Sequence, residues 1–289
     1  MRVIRLLVRF LIEGLRPIAP APHRPDPLAW SDADVTGAWL GHSTVLINFF
    51  GVRVLTDPVL AERCGLRLGP FTIGPRRRIQ PALGVRELPE IDLLLLTHAH
   101  MDHLDLWTLR RLRGRPRVVT APGLRDLLAG MPVSGVTELA WDQSVTIETR
   151  HGSIKVTARE VAHWGARMRT DDWRGYCGFV IERNNRKIGF AGDTARTSFS
   201  HWANGSDIDL LAVPIGAYNP WVRAHCNPEE AVEMAGEARA RLLLPIHHST
   251  FQLSAEPMDE PLTRFRAALN GTPERIAATE TGETFRIAI

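Results

Sequence analysis

The chain of 289 residues carries 35 basic and 32 acidic side chains, a net charge of only +3, and is 44% hydrophobic and 23% charged. That is an ordinary globular make-up for one large domain or two small ones. The small charge gives no reason to expect a nucleic-acid partner but permits an anionic substrate or surface, and the odd, sparse set Cys64, Cys177 and Cys226 excludes a disulfide framework and favours a reducing, cytoplasmic compartment.

Residues 1–15 place Arg2, Arg5 and Arg9 along an apolar stretch too short and too charged to span a bilayer. Two readings stand: a basic helix lying peripherally on the inner membrane, or a helix packed on its own domain or on a second subunit of a homodimer. Arg16 to Asp26 is proline-rich and reads as a linker, so residues 1–26 form an N-terminal segment and 27–289 the main domain. Trp39-Leu40, Val45 to Phe50 and Val52 to Leu55 read as strands, with a tight connection at Gly51. Gly65 to Gln80, rich in Gly, Pro and Arg, reads as a long loop. Leu93 to Leu96 is a buried strand. Leu106 to Leu112 and Leu124 to Leu128 read as short helices around the strand Val118-Val119. Strands follow at Val145 to Ile147, Ile154 to Val161, Tyr176 to Ile181, Ile188 to Ala191 and Leu210 to Ile215. Asn227-Pro228-Glu229-Glu230 opens a helix with a capping box. Leu242 to Ile246 is a further buried strand, Pro261 to Leu269 a last helix, and Phe285 to Ile289 a final strand.

Four of the strand ends carry metal-ligand residue types. The leucine run opens directly into Thr97-His98-Ala99-His100-Met101-Asp102-His103. Neutral imidazoles and a carboxylate suit zinc and similar divalent metals. His98 and His100 are two apart, so an extended strand end points them the same way. Asp102 and His103 follow where the chain turns and can face a second metal. His163, Asp193 and His247-His248 end three later apolar runs. Each of these alone is as readily structural as functional. Taken together with the first cluster they supply a two-metal site, in which one carboxylate can bridge cations roughly 3.5–4 Å apart.

These motifs resemble the metallo-β-lactamase-fold hydrolases. Within them the chain is most similar to the N-acyl-phosphatidylethanolamine phospholipase D group and its bacterial relatives. The resemblance is carried by Trp39 to Thr44, Leu55-Thr56-Asp57-Pro58, Thr97 to Asp105, Phe190 to Thr194, Pro214 to Tyr218, Asn227 to Ala231 and Ile246-His247. It implies an α/β (α+β) fold, the αβ/βα sandwich of two mixed sheets flanked by helices. It implies two Zn²⁺ per chain, other divalent transition metals being an alternative. His98, His100 and His163 would hold the first and Asp102, His103 and His247 the second, with Asp193 bridging and Asp57 orienting a ligand histidine. His248 departs from the pattern, standing where the phospholipases have Trp. His225 matches a histidine near the family's pocket, and a catalytic or substrate role there stands beside a plain loop position. His42 reads as a structural residue in the hairpin below the site.

The expected chemistry is attack by a hydroxide shared between two zinc ions, with Asp102 available to shuttle a proton. The expected substrate is an N-acyl phosphatidylethanolamine or a similar lipid. A lactone or sugar phosphate is the alternative at the same site, and a non-catalytic scaffold is remote because all seven ligands are present. Two arginine clusters, Arg76 to Arg78 and Arg167, Arg169 and Arg174, either meet a phosphate or form solvated charge runs. Trp164, Trp173, Tyr218 and Trp221 either wall an acyl pocket or pack a core.

Overall fold

Apolar runs of four to eight residues, separated by Gly- and Asn-containing turns, become two sheets packed face to face. The structure is a computed structural model, and it describes residues 16–69, 71–168 and 170–288. The basic segment at residues 1–15 and Arg169 therefore lie outside the described residues. β1 (Val35–Gly41), β2 (Thr44–Phe49) and β3 (Val52–Thr56) form an antiparallel meander. β4 (Leu66–Leu68) and β5 (Phe71–Ile73) stand apart as a two-stranded hairpin. β6 (Leu93–Leu96), β7 (Arg117–Thr120) and β8 (Gly135–Glu138) extend the meander as parallel strands. The second sheet begins with β9 (Ser144–Thr149), β10 (Gly152–Arg159), β11 (Gly178–Arg183) and β12 (Arg186–Phe190), all antiparallel neighbours. β13 (Ile208–Pro214) and β14 (Ala240–Ile246) complete it as parallel strands. β15 (Thr284–Ile287) returns to the first sheet beside β1, so that the seven-stranded order is β15-β1-β2-β3-β6-β7-β8 and the six-stranded order β14-β13-β12-β11-β10-β9.

Both sheets are mixed, as the family resemblance implies. The main core lies between them, where Trp39, Leu46, Leu94 and Val118 meet Val156, Phe179 and Ile188. A second core lies outside the six-stranded sheet. There α2 (Pro228–Glu237) and α3 (Glu260–Ala268) lay Ala231, Met234 and Phe265 against Leu211, Val213 and Leu243. The first sheet has a thinner cover, made by the single turn α1 (Leu106–Leu109) and a 3₁₀ turn at Arg125–Leu128. Each leucine of β6 is at most 1% exposed. At roughly 1.5–3 kcal/mol for each buried leucine, this strand anchors the histidine-rich segment that follows it.

The expected elements differ from the observed ones at a few places. α1 stops at Leu109, not Leu112, because Arg110 onward turns away after Asp105 has capped the first amides. Leu124 to Leu128 tightens into a 3₁₀ turn, and the strand Gly135–Glu138 was not expected at all: its four residues are only half-buried and show no apolar run. The region Gly65 to Gln80 is not wholly loop. Its hairpin requires the backbones of Gly65 and Gly74 to cross so closely that a Cβ on Gly65 would lie 2.1 Å from the Ile73 carbonyl oxygen. Leu66, Leu68, Phe71 and Ile73 on this hairpin are all exposed, Phe71 by 73%. The proline-rich segment lies against the domain, with Ala19 bridged to Ile79 and the His23 amide donating to the Thr281 carbonyl. Among the described residues no helix is long and apolar enough to cross a membrane.

Candidate metal centre

The C-terminal ends of β6, β10, β12 and β14 meet along one edge between the two sheets. β6 delivers His98, His100, Asp102 and His103; the segments after β10, β12 and β14 deliver His163, Asp193 and His247. Sequence and packing conspire at Asp193. Gly192 before it has φ +62°, and a Cβ there would lie 2.7 Å from the Thr97 side chain, so only glycine lets β12 end against the β6 loop.

Three nitrogens converge in the first group. His100 Nδ1 lies 2.9 Å from His98 Nε2 and 3.2 Å from His163 Nε2. His98 turns its Nδ1 to Thr97 Oγ1 at 2.9 Å, and His163 turns its Nδ1 to the Ala224 carbonyl at 2.9 Å. Donation on those sides leaves both Nε2 atoms as lone pairs facing Nδ1 of His100. Lone pairs at such distances need a proton or a cation between them. A divalent ion with three nitrogen ligands fits, and Asp193 joins the same group with all ligand atoms within 4.8 Å of one another.

The second group forms around two carboxylate oxygens. Asp102 Oδ2 lies 3.3 Å from His247 Nε2 and 3.8 Å from His103 Nε2. Asp193 Oδ2 lies 3.0 Å from His103 Nε2 and 3.2 Å from His247 Nε2. The same Asp193 oxygen is 3.8 Å from His163 Nε2 in the first group, so it stands between the two sets. His103 Nε2 and Asp193 Oδ1 are buried without a hydrogen-bond partner among the described residues. Buried polar atoms left unpaired are costly unless something further binds them, and a cation satisfies both.

Asp57 sits beneath this group at the end of β3. It accepts from the Thr97 amide at 2.9 Å, the Thr97 hydroxyl at 2.6 Å and His103 Nδ1 at 2.7 Å. Burial raises its pKa, against the pull of these bonds. Without metal the cluster carries charge of both signs. Burial opposes ionisation of Asp193, but His103, His247 and His225 hold its pKa well below the ordinary carboxylate range. Burial likewise pulls His247 down, yet Asp193 and Asp102 raise it to about 9. His225 stacks on His247 with ring centroids 5.3 Å apart, and its Nδ1 lies 3.7 Å from Asp193 Oδ2. Burial lowers its pKa to about 4, which keeps the imidazole neutral near pH 7.

Comparison with known proteins agrees with this geometry. The profile of the β-lactamase superfamily domain matches residues 52–248, a span that holds every residue just described. The chain belongs to this superfamily. It is a metal-dependent hydrolase of the metallo-β-lactamase fold. An N-acyl-phosphatidylethanolamine-hydrolyzing phospholipase D of Caenorhabditis elegans is 32% identical over 252 residues, covering 80% of this chain and 69% of that protein. An uncharacterised protein of Mycobacterium tuberculosis is 33% identical over 287 residues, covering 94% of this chain and 75% of that one. Among solved structures, Igni18, a metallo hydrolase of the archaeon Ignicoccus hospitalis, superposes with a TM-score of 0.64 at 19% identity, covering 88% of this chain and 99% of that one.

The hydrolase departs from the sequence expectations around the edges of its metal cluster. His42, expected to be structural, also reaches the cluster: its Nε2 lies 3.1 Å from Asp102 Oδ2. A lone histidine in a hairpin turn gives no local signal of this, because only the sheet order brings the β1–β2 turn beside β6 and β14. His248 points away from the cluster, stacked on Trp39 at 4.5 Å and bonded to Ser249. Three arginines of the two clusters are engaged within the protein itself. Arg77 is 2% exposed and donates to the carbonyls of Ala61, Val59 and Ile79. Arg167 braces the metal loop through the carbonyls of Ala99 and Leu104, and Arg174 pairs with Asp126 and Asp171. Of the aromatics, Trp164 reaches the site, with its ring 4.6 Å from His100 and 4.4 Å from His163. Tyr218 is buried and bonded to Glu260, whereas Trp173 and Trp221 are exposed.

Proposed function

We propose that this hydrolase cleaves a phosphodiester bond in an N-acyl phosphatidylethanolamine or a similar lipid, using two zinc ions. The observation that carries the two-metal reading is the placement of Asp193 Oδ2 between two separate ligand sets. His98, His100 and His163 would hold one ion, and Asp102, His103 and His247 the other. Two such ions would lower the pKa of water and neutralise charge building on phosphate oxygens. His225, neutral and beside Asp193, would hydrogen-bond a substrate oxygen. Asp102, partly open to solvent, would accept a proton from water. The phospholipase reading is supported by the C. elegans relative and by a groove of about 570 Å³ next to the ligand loop. Met101, Trp107, Met168, Leu66 and Phe71 give it apolar walls, and Arg63, Arg67, Arg110 and Arg167 outnumber Glu62 and Asp105 along it. Those two chemistries suit an acyl chain and an anionic head.

The test is turnover of N-acyl phosphatidylethanolamine in ¹⁸O-water. The label should appear in phosphatidic acid and not in the N-acylethanolamine. Absence of turnover, beside clear opening of a lactone by the same preparation, would overturn the lipid reading. Residues 1–15 would hold the enzyme on anionic membranes through Arg2, Arg5 and Arg9. Vesicle sedimentation of the full chain against a chain lacking that segment tests this, and equal binding would refute it.

A further inference from the structure

The turn between β1 and β2 reaches the metal cluster through one side chain that the ligand assignment leaves unused. His42 is 1% exposed and has φ +55°, in the left-handed region that a residue with a side chain seldom adopts. Its backbone is fixed on both sides. The His42 amide donates to Thr250 Oγ1 at 2.8 Å, and its carbonyl accepts from the Trp39 indole at 2.7 Å and from the His247 amide at 3.1 Å. The ring is held against His247, with centroids 4.3 Å apart, and against the edge of Phe251 at 5.1 Å. Strained backbone kept in place by this many contacts is characteristic of functional sites. What the clamp aims is Nε2, which stands 3.1 Å from Asp102 Oδ2, nearer than either His247 Nε2 or His103 Nε2.

We propose that His42 is a positioning residue of the second metal site: its Nε2–H donates to Asp102 and sets the carboxylate for that metal. This rests on the ligand assignment given under the proposed function. The choice of donor over ligand follows from the ligand count: His42 Nε2 falls in one group of possible ligand atoms with Asp102, His103 and His247, but with Asp193 those three already offer the second ion the four ligands of a tetrahedral site. His98, His103 and His163 each turn Nδ1 to an acceptor, leaving Nε2 unprotonated for a metal. His247 Nε2 faces both Asp102 and Asp193 whereas His42 Nε2 faces Asp102, and His42 Nδ1, like His247 Nδ1, is buried with no partner among the described residues. A proton on His42 Nδ1 would be an unsatisfied buried donor, so the proton belongs on Nε2, where an acceptor-only carboxylate faces it.

The experiment measures zinc binding by chelator competition for the wild-type chain, His42→Phe and His42→Gln. His42→Phe should keep the first equivalent and bind the second about 10–100-fold more weakly, the usual effect of losing such a partner. His42→Gln, which retains an N–H near the Nε2 position but is a poor zinc ligand, should recover most of the loss. A His42→Phe variant that binds both equivalents as tightly as wild type would overturn the proposal. So would a His42→Gln variant as impaired as His42→Phe, which would make the ring a direct ligand. If a variant does not fold, ¹⁵N NMR of the wild-type chain loaded with ¹¹³Cd decides: His42 should show the Nε2–H tautomer and no coupling to cadmium, and a coupling would refute the assignment. A wild-type chain that binds one equivalent only would instead fail the two-metal reading itself.

Discussion

Asp57 Oδ2 accepts from His103 Nδ1 at 2.7 Å, and neither side chain has any exposed surface. The bond points His103 Nε2 at Asp193, and Thr97 holds Asp57 in turn through its amide and hydroxyl. A carboxylate that fixes the tautomer of a ligand histidine typically contributes 10–100-fold to metal affinity. Asp57→Asn keeps the size but can offer an N–H to Nδ1, which forces the proton onto Nε2. Zinc competition titration should show weakening of about 10-fold or more at the second site. Unchanged affinity would mean that Asp57 serves only the turn before Pro58.

Asp193→Ala should lose both metals together. Its Oδ2 is the oxygen within 3.8 Å of His163, His103 and His247. His248→Ala should keep both, because its ring lies against Trp39 outside the cluster. Elemental analysis of protein purified without chelator reads both results. Retention of two equivalents by Asp193→Ala would sink the bridging role.

Arg77 makes a separate prediction, about stability. Its guanidinium is buried and braces three carbonyls from two loop segments. Burial pulls its pKa down to about 10, so it remains charged at neutral pH. Arg77→Leu leaves those carbonyls without donors, at a cost of roughly 3 kcal/mol. Urea unfolding should show that loss, while the folded fraction keeps its full metal content. Wild-type stability with a raised KM for phosphodiesters would reinstate Arg77 as a phosphate contact.

Strand ends and ligand types were legible in the sequence because each depends on a short stretch of chain. An apolar run followed, after one threonine, by His-Ala-His-Met-Asp-His declares both a buried strand and its exit. The capping box at Asn227 and Glu230 was equally local, and both of its hydrogen bonds are present. His42 and the arginine braces were not legible. The role of His42 depends on strands distant in sequence meeting at one edge. Arg77 depends on carbonyls left unpaired by an irregular loop. The hairpin at Leu66 to Ile73 was hidden because its strands are three residues each and bury no face.

The titration of the metal-free chain separates two groups of histidines. His247 has its pKa raised from 6.5 to about 9 by Asp193 and Asp102, against burial. Protonation of His247 therefore stabilises the metal-free fold fully below pH 6.5, and that contribution is lost as pH rises through about 9. His42 and His225 behave oppositely, since burial lowers them to about 3 and about 4. They favour the fold above pH 6.5 and penalise it as pH falls, because the unfolded chain then binds protons that the folded chain refuses. The chelated protein should thus lose thermal stability on both sides of that pH. With metal bound, the loss on the alkaline side should vanish, because the cation takes the place of the His247 proton. His103 is likewise raised, well above its ordinary value, by Asp193 and Asp102, so calorimetric titration with zinc at pH near 7.5, in two buffers of different ionisation enthalpy, should register proton release from the protein, with the His247 share fading as pH passes about 9. Zinc binding with no proton release at the lower pH would show that His103 and His247 are both already neutral in the metal-free chain, and that the field of Asp193 and Asp102 is weaker than their distances imply.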